Sequence, residues 1–358
     1  MTALFMGRTR TTTAVGLTIE PGRIAAAQVA VNGALVIQDG ARAELDPAVV
    51  RDGEVADTGA LADALRALWH DHGSLDKRVR IGVANTRIVV RTLYLPPIDD
   101  AKQLAAAVRF QAGDEIPMPL DDAVLDFHAL GVVETPNGPR QRVVLVAARR
   151  DMILDVLTAA RSAGLKPVGI DLSAFGMVRA LQAAGDDAGP ELFLSVGGLT
   201  NLAVAEAGVC SFTRVAGSGL ESLAVELAER RELTLEHARM WLHHVGLESE
   251  PGEIDGDEKI VADARAVLAA GVRRIAQEVR GSLDFHQGQV EGGGPVRRVV
   301  LTGPAVAVAG FAPALEAGLG VEVREGIVAA ADGAGLGALD AACLSVPAGV
   351  AIEQAPGA

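Results

Sequence analysis

The residues of this 358-residue chain that could do chemistry are few and scattered. His70-Asp71-His72 and the trio His237, His243 and His244 bring imidazoles close together along the chain. No acid or cysteine cluster completes a metal site with either group, so they are assigned to surface or packing roles. Cys210 and Cys343 stand alone, without CxxC spacing or a nearby histidine pair. That pattern indicates neither zinc nor a disulfide framework and fits a reducing compartment. The basic pairs Arg149-Arg150, Arg230-Arg231, Arg273-Arg274 and Arg297-Arg298 lack interleaved aromatics and read as solvated faces. With 32 Lys plus Arg against 46 Asp plus Glu, the net charge of −14 argues against a general attraction to nucleic acid or anionic lipid.

The elements that must position any site follow a duplicated plan. At 49% hydrophobic and 22% charged residues, the chain can bury a sizeable core in two or more domains. Val15-Gly-Leu-Thr-Ile-Glu20, residues 23–29 and residues 34–38 read as three strands joined at Pro21-Gly22 and Asn32-Gly33, both of which carry turn chemistry. The unit recurs as Leu192-Phe-Leu-Ser-Val196, residues 201–206 and residues 209–214, with Ala207-Gly208 at the second turn. Thr18 and Ser195 then hold matching places near the end of each first strand. Thr58 can cap a helix that aligns Leu61, Leu65, Leu68 and Trp69, and Gly73 can end it.

Between the meanders, a strand at 88–94, a helix at 99–113 capped by Asp99 or Asp100, a strand at 141–148 and a helix at 152–163 continue the alternation. The second half adds helices near 220–231, 235–245 and 260–287, a Gly292-Gly-Gly-Pro295 turn, a strand at 296–301 and a terminal helix within 337–344. The fold class is α/β with duplicated halves and an insertion. No uncharged apolar run approaches the ~20 residues of a spanning helix, residues 1–13 lack the apolar core of a signal peptide, and the tail 352–358 lacks the character of a membrane-binding helix. A cytoplasmic protein that meets the membrane only through a partner is expected.

Arg91-Thr-Leu-Tyr-Leu-Pro-Pro97, the helix holding Val108-Arg-Phe-Gln-Ala112, and Ile116-Pro-Met-Pro-Leu120 together resemble a segment peculiar to the PilM family of type IV pilus assembly proteins. Val124-Leu-Asp-Phe127, Val144-Leu-Val-Ala-Ala148, Ala163-Gly-Leu-Lys-Pro167, Glu278-Val-Arg-Gly-Ser-Leu-Asp-Phe285 and Val299-Val-Leu-Thr-Gly303 extend the match from about residue 15 to 352. The resemblance implies an actin-like fold, related to FtsA, of two ribonuclease-H-like domains with a small SHS2-like insertion. Residues 14–87 would begin the first domain, 88–166 form the insertion, 167–189 return, 190–336 form the second domain, and 337–352 carry a helix back to the first.

The resemblance also implies ATP or ADP with Mg²⁺ between the halves, held by an Asp at the end of each first strand, because Mg²⁺ demands hard oxygen ligands. Here the first pattern is replaced by Thr18-Ile-Glu20-Pro21-Gly22, and the position of a frequent Lys is Ala25. Glu20 brings negative charge toward phosphate, and Pro21 removes a backbone N–H. The second pattern reads Ser195-Val-Gly197-Gly198-Leu-Thr200-Asn201, glycine-rich but without its Asp. The adenosine-side Gly-Gly becomes Gly303-Pro304, and Gly217-Ser-Gly219 matches a nucleotide-side helix start or an ordinary cap.

The expected function is therefore a pseudo-ATPase scaffold of the pilus assembly platform. Its nucleotide site would be degenerate and its ATP binding weak or lost. The resemblance implies that it docks the N-terminal peptide of a PilN-like membrane protein in a groove between the first domain and the insertion. An active ATPase or sugar-kinase-like enzyme is the alternative, and an FtsA-like division protein a third.

Overall fold

The computed structural model describes residues 10–11, 14–182, 189–289 and 294–353. Most of the stretch read for a signal peptide, Gly292 and Gly293 of the expected turn, and the tail beyond Glu353 lie outside the described residues.

The first half runs β1 (Arg10–Thr11), β2 (Val15–Glu20), β3 (Arg23–Asn32), β4 (Ala34–Glu44), a small hairpin of β5 (Val50–Arg51) and β6 (Glu54–Val55), α1 (Thr58–Asp71) and β7 (Arg78–Val83). An intervening unit follows with β8 (Val89–Leu95), α2 (Ala101–Glu115), β9 (Ala123–Thr135) and β10 (Gly138–Arg149), then α3 (Arg150–Ser162), β11 (Lys166–Leu172) and α4 (Ser173–Leu181). The second half runs β12 (Glu191–Val196), β13 (Thr200–Glu206), β14 (Val209–Ala216), α5 (Leu220–Arg231), α6 (Leu235–Val245), α7 (Glu258–Gln289), β15 (Arg298–Thr302), α8 (Phe311–Leu319), β16 (Glu322–Glu325) and α9 (Ala338–Val350).

Two sheets repeat one topology. The first orders β4-β3-β2-β7-β11, and the second orders β14-β13-β12-β15-β16. In each, an antiparallel meander is followed by two parallel strands. The meander turns form because Gly22 and Gly33 take φ of +78° and +74°. β12 is buried along its whole length, as a central strand covered on both faces must be. Asp57, rather than Thr58, caps α1, its carboxylate accepting from the Ala60 N–H at 2.9 Å. Asp100 does the same for α2 through Gln103 at 2.8 Å.

The third sheet, β8-β10-β9, packs α2 on one face over a core of Leu93, Leu95, Leu104, Val108, Val143 and Leu145. The expected insertion, 88–166, includes α3, yet α3 packs elsewhere: Met152, Ile153, Val156 and Ala160 join Leu61, Leu65, Val79 and Ile81 in the core of the first domain. α3 turns its apolar face to α1 and to Val79 and Ile81 of β7. α9 returns to the first sheet, where it lies against β2, β3, β4 and α4.

Candidate functional site

β2 and β12 hold the same central place in their sheets, and the residues expected to organise a metal sit at equivalent positions. Thr18 registers with Gly82 of β7 and Ser195 with Thr302 of β15. Both are buried, at 5% and 4% exposure, within their own sheets. Thr200 and Asn201 open β13, where the Thr200 hydroxyl donates to the Ser218 carbonyl at 2.6 Å. Asn201 Oδ1 and Thr302 Oγ1 lie sealed beneath the adjoining turns without a hydrogen-bond partner.

The loops beyond these strands interlock. Glu20, at the end of β2, accepts from the backbone N–H of Gly198 at 3.1 Å and from Arg23 Nη2 at 3.1 Å. A Cβ on Gly198 would stand 2.1 Å from the Pro21 carbonyl oxygen, and one on Gly22 would stand 2.4 Å from the Glu221 carboxyl carbon. The backbone of one domain therefore touches the glycine turn of the other. Gly197 abuts both Arg23 and Glu20, with the Pro304 ring beside them.

Burial is the largest influence on Arg23 and disfavours its charge, but Cys343, Glu20 and Glu221 outweigh it and hold the guanidinium above its ordinary range. Arg239 of α6 forms a second tie between the domains, pairing with Glu221 at 2.6 Å and with Glu44 of β4 at 2.5 Å. Gly303 has φ of +81°, and Pro304 opens a single 3-10 turn after it, so this segment keeps its bend despite the proline. Gly219 takes the ordinary N-cap place of α5, while Gly217 lies beside Asp52 of the first domain.

An open groove of about 1190 Å³ lies away from these turns. One wall is β8 with Met118 flanked by Pro117 and Pro119; the other is β14 with Phe285 of α7; the start of α3, including Leu154, closes the floor. Among the described residues β8 pairs with β10 alone and β14 with β13 alone, so each leaves one sheet edge without a ladder partner. Phe285 and Leu154 are half exposed, and the Phe212 and Phe285 rings are 6.2 Å apart. Arg214 of β14 donates to Ser282 Oγ at 3.3 Å.

The family model for type IV pilus assembly protein PilM matches residues 19–330. The chain belongs to the PilM family. Among solved structures it is similar to one described as a PilM–PilN type IV pilus biogenesis complex, with 25% identity, a TM-score of 0.77, and 95% of this chain and 97% of that chain covered. It is also similar in fold to the ethanolamine utilization protein EutJ from Carboxydothermus hydrogenoformans, with 16% identity, a TM-score of 0.51 and coverage of 94% and 88%. MreB5 of Spiroplasma citri bound to AMPPNP gives 11% identity, a TM-score of 0.52 and coverage of 94% and 93%. These likenesses make the fold actin-like.

A nucleotide with Mg²⁺ does not fit the residues this PilM-family chain presents. The metal-organising positions are the hydroxyls Thr18 and Ser195, shut inside their sheets. Where a phosphate would meet the glycine turn, the Glu20 carboxylate is already hydrogen-bonded. The orphaned atoms of Asn201 and Thr302 are sealed from solvent and offer no open contact. Sequence reasoning found Glu20 but gave no role to Arg23, three residues on in the same hairpin, or to Arg239, whose partners Glu221 and Glu44 come together only in the folded chain.

The groove meets its expected place in part: β8 and Met118 of the insertion face Thr86, Arg87 and the start of α3 on the first domain, and β14 with Phe285 of the second domain adds a wall. Elsewhere the interface between the first domain and the insertion is filled, with Val90, Val146 and Ala148 of the third sheet packed into the first-domain cluster. A smaller recess of about 220 Å³, lined by Arg51, Asp52, Glu54, Val55 and Ala56, shares Thr86 and Arg87 with the groove.

Proposed function

We propose that this chain is a non-catalytic scaffold of a type IV pilus assembly platform, cytoplasmic and held at the inner membrane by an extended N-terminal peptide of a PilN-like membrane protein. The observation that carries the docking mode is the groove between β8 and β14. An extended segment can add main-chain hydrogen bonds to a free strand edge and seat alternate side chains against Phe285, Leu154 and Met118. The likeness over nearly all of the chain to a member of a PilM–PilN complex supports the choice of partner. No helix of the described residues is long and apolar enough to cross a membrane, consistent with a role filled through another protein. Thr18 and Ser195 in place of the metal-organising carboxylates, and the Glu20 carboxylate at the Gly198 N–H, support the non-catalytic reading.

Two calorimetric titrations test the reading. The N-terminal peptide of the PilN-like protein should bind, and Mg-ATP should give no saturable heat. Absence of peptide binding refutes the scaffold reading, and micromolar Mg-ATP affinity with turnover refutes the non-catalytic one.

A further inference from the structure

The turns that face each other across the junction are occupied by side chains of this chain. At the glycine turn that faces the other domain, the Gly197 N–H is spent on the Leu199 carbonyl at 2.9 Å, which leaves the Gly198 N–H as the donor for an anion. Glu20 supplies one. Its carboxylate reaches across the junction to the Gly198 N–H at 3.1 Å, a charge-assisted bond. The group that balances it comes from the same hairpin: Arg23 lies 3.1 Å from the same oxygen, and the two side chains are only 12% and 19% exposed. The Pro21 carbonyl presses on Gly198 and the Glu221 carboxylate on Gly22, so the backbones themselves are in contact around this pair.

We propose that Glu20 is a built-in anion for the Gly198 N–H, taking the place of a nucleotide phosphate with Arg23 as its counter-cation, so that the two domains stay closed without nucleotide. This rests on the reading that the chain does not use ATP and explains what replaced it. The Arg239 bridge between Glu221 and Glu44 ties the same two domains a short way along the junction. Closure in this protein is then a constant property of the chain instead of one stage of a nucleotide cycle.

The test is amide hydrogen exchange on the full-length protein. Glu20→Ala should raise the exchange rate at Gly198 by tenfold or more while leaving the β7 and β15 amides unchanged. Inorganic phosphate at tens of millimolar should slow exchange at the emptied turn in the variant and have no effect on the wild type. Glu20→Gln, which keeps the shape and an acceptor oxygen but not the charge, should fall between and covers the case in which the alanine variant folds poorly. Unchanged exchange at Gly198 in both variants overturns the proposal. Faster exchange that phosphate cannot reverse overturns it too, because the turn is then not an anion site. A Mg-ATP titration of the wild type separates the two ideas: nucleotide binding there defeats the reading on which this rests, whereas the variants test the latch itself.

Discussion

Thr18 and Ser195 occupy one position in two copies of the same sheet, each paired across a parallel ladder, with Gly82 in the first domain and Thr302 in the second. A duplicated fold presents two such strand ends toward one junction, which allows a pair of carboxylates from distant parts of a chain to share a metal. Here both ends carry a short hydroxyl side chain, and the loops that follow have closed over them.

Restoring the carboxylates should not restore the site. A Thr18→Asp, Ser195→Asp variant places two acids where the native side chains are almost wholly buried. Each unpaired charge should cost roughly 1–3 kcal/mol after partial neutralisation, while Glu20 still holds the Gly198 N–H. Urea unfolding should show the loss of stability, and calorimetry should show no gain in Mg-ATP affinity. Micromolar binding by the double variant would mean that the junction opens far more easily than its packing implies.

Phe285→Ala should separate binding from folding. The ring is half exposed on the groove wall, 6.2 Å from that of Phe212. Its loss should change stability by no more than about 0.5 kcal/mol, yet lower affinity for the PilN-like N-terminal peptide about tenfold or more, as aromatic anchors do. An unaltered affinity in a peptide titration places the peptide somewhere other than this groove.

Stability should fall between neutral and mildly acidic pH. Burial lowers the His243 pKa, with Arg23 and Arg42 adding to the effect against a backbone hydrogen bond at Ala307; burial also lowers that of His286. The unfolded chain takes up protons near the ordinary imidazole value of about 6.5, before the folded one does. Their contribution is therefore fully present above that value and is lost as pH falls through it toward the lower folded values. Urea midpoints measured from pH 7.5 to 5.5 should decline, and His286→Phe, beside Phe212 at 5.2 Å, should flatten part of the decline. Equal slopes in the variant and the wild type would remove His286 from the account.

The meanders were legible because each turn carried its own chemistry: Pro21-Gly22 and Asn32-Gly33 announce themselves locally. The fate of α3 was not, since periodicity shows that Met152, Ile153 and Val156 need cover but not which sheet or helix gives it. Asp57 displaced Thr58 as the cap of α1 because adjacent residues offer nearly equivalent side chains and the backbone chooses between them. Glu20 could be read as a lost ligand, but its partner is a backbone N–H that every non-proline residue possesses, far along the chain at Gly198. The groove depends on two strand edges from different domains, a relation that no local pattern encodes.

Gly349→Ala tests how tightly the terminal helix is seated. In an isolated helix the change would stabilise by about 1 kcal/mol, because alanine loses less backbone entropy than glycine. At this position the new Cβ would stand 1.8 Å from the Gly176 carbonyl oxygen and 2.8 Å from the Ala180 Cβ. The first obstacle is backbone and cannot swing aside, so α9 and α4 must separate. Arg179, which donates to the Gly349 carbonyl at 3.2 Å, would lose its seat as well. The clash should outweigh the propensity gain and leave a net loss of about 1–3 kcal/mol. Gly281→Ala in α7 is the matched control, since its Cβ would meet nothing within 4 Å and only the propensity gain should remain. Unfolding in urea should therefore move in opposite directions for the two variants. If Gly349→Ala proves as stable as the wild type, α9 does not rest on α4 at backbone contact.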